Sequence, residues 1–175
     1  MSDKPAKPSR RILVVDDEEG VTNALRRSLR REGYEITACN DPKQALVLLK
    51  GETFDMVISD HLMPGMTGIE LTKILHDRYP DMMRLMLTGQ PDLQMVIEAI
   101  NHGEVYRFIT KPWDDLELKV TLSLAFEQLD LQRENRRLLT MVRRQANLID
   151  KLERENPGIL SVQRDETGAI LLDMS

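Results

Sequence analysis

Cysteine occurs once in the 175 residues, at Cys39, which excludes an intramolecular disulfide and any cysteine-only metal site. No stretch approaches the roughly 18 uninterrupted apolar residues of a membrane-spanning helix. Residues 1–11 are polar and include Pro5 and Pro8, so they lack the apolar centre of a secretion signal. His61, His76 and His102 are scattered and form no ligand cluster. Neither an internal repeat nor a low-complexity segment is visible. Neither proline nor glycine interrupts residues 114–156. What remains is 41% hydrophobic and 30% charged, enough for a packed core and against wholesale disorder. A net charge of -5 favours solubility and argues against a general nucleic-acid binder. A soluble, cytoplasmic protein of one ordinary domain plus an appendage is expected, without a membrane partner.

Apolar runs alternate with amphipathic segments. Strands are predicted at 12–15, 34–39, 54–59, 82–87 and 105–109, and helices at 20–31, 42–51, 66–78 and 91–102, with a last helix from 113 onward. Gly33 stops the first helix; Asp41-Pro42 opens the second, with proline in its first turn. Five rounds of strand then helix imply a parallel sheet with helices on both faces. Residues 1–10 read as a disordered arm.

The last helix far exceeds the 10–14 residues of an average one. A seven-residue period sets Leu131, Leu138, Gln145 and Leu152 at one seam position and Gln128, Asn135, Val142 and Ile149 at the other. Leucine at d with β-branched residues at a suits a parallel two-stranded coiled coil, and Asn135 at an a position would fix its register. The alternative is an amphipathic helix folded back on its own domain. Pro157-Gly158 ends the run, and residues 157–175 read as a short hairpin or tail.

Four short pieces fall where strands should end: Val14-Val15-Asp16-Asp17-Glu18, Ser59-Asp60-His61-Leu62-Met63-Pro64-Gly65, Leu87-Thr88-Gly89 and Thr110-Lys111-Pro112. In a parallel α/β sheet those ends share one rim, where ligands bind. Asp16 and Asp17 are adjacent acids whose repulsion a cation shared with Asp60 would relieve. Magnesium suits such oxygen ligands. Asp60, ending the third strand, is placed to attack phosphorus and form an aspartyl phosphate. Lys111 would supply a positive charge and Thr88 a hydroxyl to the phosphoryl oxygens. Taken singly, each has a plain reading: acids enrich the turn before a helix, Lys111 is a solvated lysine and Thr88 a strand residue. The conjunction favours phosphate chemistry. His61, beside the acceptor, is a candidate for tuning access or hydrolysis.

With those motifs in order, residues 11–126 resemble the receiver domain of a two-component response regulator, with 127–156 a coiled-coil extension. The acceptor motif extends through Met66-Thr67-Gly68. The resemblance implies a flavodoxin-like doubly wound sheet of order 2-1-3-4-5. It implies that Asp17 binds the metal directly, Asp16 through water and Leu62 through its backbone carbonyl, with manganese able to replace magnesium. Receivers carry an aromatic residue three positions before the lysine that turns inward when the hydroxyl moves; here it is Phe108, and Tyr106 could share the role. The phosphoryl donor would be a sensor histidine kinase or a phosphotransfer protein. The output would be a homodimer through the long helix, or an unknown downstream protein, without direct contact to nucleic acid. The chain would be no enzyme beyond assisting its own phosphorylation and dephosphorylation. Two alternatives stand: an aspartyl-phosphate, metal-dependent phosphohydrolase, and a receiver fragment of a larger signalling enzyme. Phosphohydrolases of that kind place an acid two residues after the nucleophile, where this chain has Leu62.

Overall fold

The structure is a computed structural model, and it describes residues 9–89 and 92–157. Of the arm expected at 1–10, residues 1–8 lie outside the described residues, as do 90–91 and, from 158 onward, the hairpin or tail expected at 157–175; Arg10, placed in the arm, instead begins the first strand. Strands and helices alternate as β1 (Arg10–Val15), α1 (Glu19–Leu29), β2 (Tyr34–Cys39), α2 (Pro42–Gly51), β3 (Met56–Asp60), α3 (Gly68–Arg78), β4 (Met83–Thr88), α4 (Leu93–Asn101), β5 (Arg107–Thr110) and α5 (Asp115–Glu155). All four strand pairings are parallel, in the order β2-β1-β3-β4-β5. This is the flavodoxin-like doubly wound sheet that the sequence implies. Among the described residues, no helix is long and apolar enough to cross a membrane.

Strand alternation divides the core into two layers. Ile12 and Val14, Met56 and Ile58, and Leu85 and Leu87 face a cluster completed by Leu25 and Leu29 of α1 and by Leu118, Leu122 and Phe126 of α5. Leu13, Val15 and Val57 face the other side, against Ala45 and Leu49 of α2 and Leu71 and Leu75 of α3. A smaller cluster joins Met86, Ala99 and Val105, with Ile69 and Phe108 packed on it. Each fully buried side chain contributes about 1.5–3 kcal/mol, so both layers are needed.

Element ends differ from the predicted ones for local reasons. β1 starts two residues early because Arg10 and Arg11 lay their guanidinium groups over the Phe126 and Phe54 rings, at 5.2 Å and 4.7 Å. Beside the start of β3, the Asp55 carboxylate accepts the Arg11 backbone N–H at 2.9 Å, while the Asp55 backbone bonds Arg11 and Met83. α3 begins at Gly68 because Thr67 caps it: Thr67 Oγ1 accepts the Glu70 N–H, and Glu70 accepts the Thr67 N–H, a reciprocal capping box. β5 begins at Arg107 rather than 105 because the Glu104 and Val105 N–H groups both donate to the Ala99 carbonyl. Asp114 is the side-chain cap of α5, accepting from Leu116 and Glu117 at 2.9 Å.

The chain divides into two compact units, one through Asp130 and one from Leu131. In the first, Leu129 is buried and Arg10 pairs with Asp130. In the second, α5 continues to Glu155 with its seam residues Leu131, Leu138, Val142 and Ile149 all exposed.

Candidate functional site

The strand order sets β1, β3, β4 and β5 side by side, so the residues following their last apolar positions meet on one rim. Asp16, at the end of β1, is fully buried; Asp17 beside it is exposed. Asp60 ends β3, the central strand, and is 7% exposed. Carboxylate oxygens of Asp16, Asp17 and Asp60 all lie within 4.8 Å of one another. The Lys111 ammonium, just past β5, donates to Asp60 Oδ1 at 2.7 Å and to Asp16 Oδ2 at 2.8 Å. Its backbone N–H donates to the Thr88 carbonyl at 2.8 Å, which locks the lysine to the end of β4. The Lys111–Pro112 bond is cis.

The rim holds three carboxylates against one ammonium. Burial raises the Asp16 carboxyl above its ordinary value, although the bond from Lys111 and the Glu18 N–H oppose that rise. Burial pulls the Lys111 ammonium down, but its bonds to Asp16 and Asp60 outweigh that pull, and the net shift is upward. The upward shift of Lys111 reflects its two carboxylate partners, while that of Asp16 reflects chiefly its burial. An oxygen-liganded divalent cation fits the rim, since one acid is open to solvent and two are fixed.

The loop after Asp60 is held by its own backbone. The His61 N–H donates to the Leu87 carbonyl and the Gly68 N–H to the His61 carbonyl, each at 2.9 Å. The Leu62 N–H reaches Asp60 Oδ2 at 3.2 Å, while the Leu62 side chain is exposed. Gly65 has φ of 81°, a conformation that glycine adopts freely. At Gly68 the constraint is space, because a Cβ there would collide with the Asp60 carbonyl oxygen. The Nδ1 of His61 is buried with no hydrogen-bond partner among the described residues.

Thr88 is buried at the end of β4, and its hydroxyl makes no hydrogen bond among the described residues. Thr88, Met86 and Arg84 alternate onto one sheet face, and Phe108 lies opposite Met86 across the strand pair. Phe108 is half-buried, whereas Tyr106 precedes β5 and is exposed. The seam residues Gln128, Asn135 and Gln145 are exposed, and Leu152 is half-buried.

Sequence reasoning missed Arg84. This guanidinium is nearly buried and uses all its donors: Nε to the Glu104 carbonyl at 2.9 Å, Nη1 to Met82 at 2.7 Å and Tyr79 at 3.5 Å, and Nη2 to Gly103 at 3.0 Å and His76 Nδ1 at 3.3 Å. It fastens the turn after α4 to the start of β4, on the strand that carries Thr88. The available signal was a lone charge inside the apolar run Met82-Met83-Arg84-Leu85-Met86-Leu87.

Comparison with known proteins adds to this geometry. A family model described as "Response regulator receiver domain" matches residues 12–123. The chain is 35% identical over 138 residues to the hydrogenase transcriptional regulatory protein HoxA of Cupriavidus necator, covering 79% of this chain and 28% of that protein. It is 33% identical over 119 residues to the transcriptional regulatory protein FixJ of Bradyrhizobium diazoefficiens, covering 68% of this chain and 58% of that one. The signal receiver domain of an HD domain-containing protein from Pseudomonas fluorescens superposes with a TM-score of 0.70 at 38% identity, over 77% of this chain and 98% of that chain. The chemotaxis response regulator CheY4 of Vibrio cholerae gives 0.61 at 29% identity, over 67% and 98%.

Proposed function

The chain belongs to the response regulator receiver family, and from that premise we propose that it is the phospho-accepting regulator of a two-component system. The observation that supports this most is the Lys111 ammonium bridging Asp60 and Asp16 beside Asp17. A sensor histidine kinase or phosphotransfer protein presents a phosphohistidine. An Asp60 carboxylate oxygen attacks phosphorus as the P–N bond breaks, and the departing imidazole nitrogen keeps the electron pair and takes up a proton. Lys111 shifts from Asp60 toward the phosphoryl oxygens, and the Leu62 N–H steadies the attacking carboxylate. Magnesium, or manganese in its place, would be held by Asp16, Asp17, Asp60 and the Leu62 carbonyl, and supplies positive charge against the crowded oxygens.

Thr88 then donates its unengaged hydroxyl to a phosphoryl oxygen. Phe108 follows into the space beside Met86, which alters the surface around α4 and β5, with Tyr106 at its edge. The seam through Gln128, Leu131, Asn135, Leu138, Val142, Gln145, Ile149 and Leu152, exposed except at the half-buried Leu152, carries the output, as a homodimer or as a surface for a downstream protein. The chain acts in the cytoplasm, contacts no nucleic acid itself, and turns over no substrate beyond its own phosphoryl group. Leu62 offers no acid–base group two residues past the acceptor, which disfavours a phosphohydrolase. The test is intact mass after a small phosphodonor with magnesium. One phosphoryl group is expected on the wild type and none on Asp60→Asn; equal labelling of both would refute the assignment.

A further inference from the structure

On the α1–α5 side of the first unit lies a cleft that the phosphoryl chemistry does not use. Open to solvent, it offers about 570 Å³ between the end of α1 and the start of α5. Arg27, Arg30 and Arg31 stand around it, with Trp113 forming part of its wall. Lys119 also lines it, but that ammonium is neutralised by Glu32 at 3.2 Å. The acid in the lining, Asp115, accepts from Ser28 Oγ at 2.6 Å. The three guanidinium groups form no ion pair among the described residues.

In a chain of net charge -5, three arginines without an ion pair, against the one carboxylate of Asp115, leave this cavity net positive where an anion can enter. Guanidinium groups recognise phosphate oxygens two at a time. The wall is equally specific. Trp113 Nε1–H donates to Ser28 Oγ at 3.4 Å, and the Ser28 hydroxyl donates to Asp115 at 2.6 Å, which orients the indole. Trp113 is partly buried, packs on the core cluster and also lines the cleft. A fixed indole offers a π-face on which a base can stack. The volume is that of a small-ligand site. The helix dipole accounts for basic residues in the last turn of α1. It does not account for an anchored aromatic wall beside them.

We propose that this cleft binds a nucleotide, with the phosphates on Arg27, Arg30 and Arg31 and the base against Trp113. Trp113 is the sole tryptophan of the chain, so its fluorescence reports the site directly. The full chain is titrated with ATP, pyrophosphate and adenosine in a buffer with chelator, where the acidic rim around Asp60 repels all phosphates. Saturable quenching by ATP with a midpoint below about 1 mM is expected, and pyrophosphate and adenosine should each bind at least about tenfold more weakly. The variant Arg27→Ala/Arg31→Ala should raise the ATP midpoint by about tenfold or more, while labelling of Asp60 by a small phosphodonor stays unchanged. No saturable change up to about 5 mM ATP would overturn the proposal, as would a midpoint indifferent to the arginine variant. Pyrophosphate binding as tightly as ATP would remove the base from it and overturn the nucleotide assignment.

Discussion

Leu118, Leu122 and Leu129 are buried under the sheet, whereas Leu131, Leu138 and Leu139, farther along the same helix, are exposed by 67%, 49% and 53%. The same contrast holds for charges. Up to Asp130, Arg10, Arg11, Arg84 and Lys111 each engage residues distant in sequence. Beyond it, the pairs Glu134–Arg137 and Lys151–Glu155 are helical neighbours. Such local pairs contribute about 0.2–0.5 kcal/mol apiece. The first unit therefore carries its own core and a pre-set acidic rim; the second has an amphipathic seam whose apolar side has yet to be covered. Under the proposed function, phosphoryl acceptance would fall to the first and association to the second.

The largest expected effect lies on the rim. Lys111→Ala should slow labelling of Asp60 by a small phosphodonor by roughly 10²–10³-fold, the usual loss for one pre-set electrostatic contact, measured by timed intact-mass spectra. If the division into units holds, its association state is unchanged. Next comes Arg84→Met, which strands the carbonyls of Met82, Gly103 and Glu104 that now share one guanidinium. A loss of about 3 kcal/mol in urea unfolding is expected. Leu131→Asp/Leu138→Asp attacks the other side of the contrast. It should yield monomers by light scattering, while the unfolding midpoint of the first unit moves by less than about 0.5 kcal/mol. A dimer that survives this change would break the comparison.

Two smaller effects refine the rim and the core. Asp17→Asn removes the exposed member of the acid cluster, so in chelator the protein should be slightly more stable, by no more than about 1 kcal/mol. The stabilisation gained on adding magnesium should shrink, read as the difference between two thermal melts. Cys39, at the end of β2, has its thiol pushed up by burial from 9.0 to about 11, against an opposing bond from the Asp41 N–H. The folded state thus holds this proton more tightly than the unfolded chain. Its contribution is complete below 9.0 and is lost as pH rises toward 11. Thiol-reagent labelling of the native protein should be slow at pH 8 and accelerate on unfolding.

Much of the first unit was legible because its signals are local or periodic. Asp16, Asp60, Thr88 and Lys111 each follow an apolar run, and strand ends in a parallel sheet converge whatever fills the helices. Arg84 was not legible: its five acceptors come from α3, the turn before β4 and the turn after α4, a set that only the tertiary fold assembles. Gly68 stands at the end of the acceptor motif, but its constraint is the Asp60 carbonyl, eight positions back and brought near by the loop's closure. The start of β5 was misplaced because the Ala99 carbonyl competes for the N–H groups of Glu104 and Val105. In the second unit the heptad pattern is plain, and it names a surface without naming the occupant.

Borohydride reduction tests the central claim most directly, because it converts an aspartyl phosphate to homoserine at the residue that carried it. After exposure of the full chain to a small phosphodonor and magnesium, peptide mapping should find homoserine at position 60 alone. Homoserine at 16 or 17 instead, or an unaltered Asp60, would contradict the account.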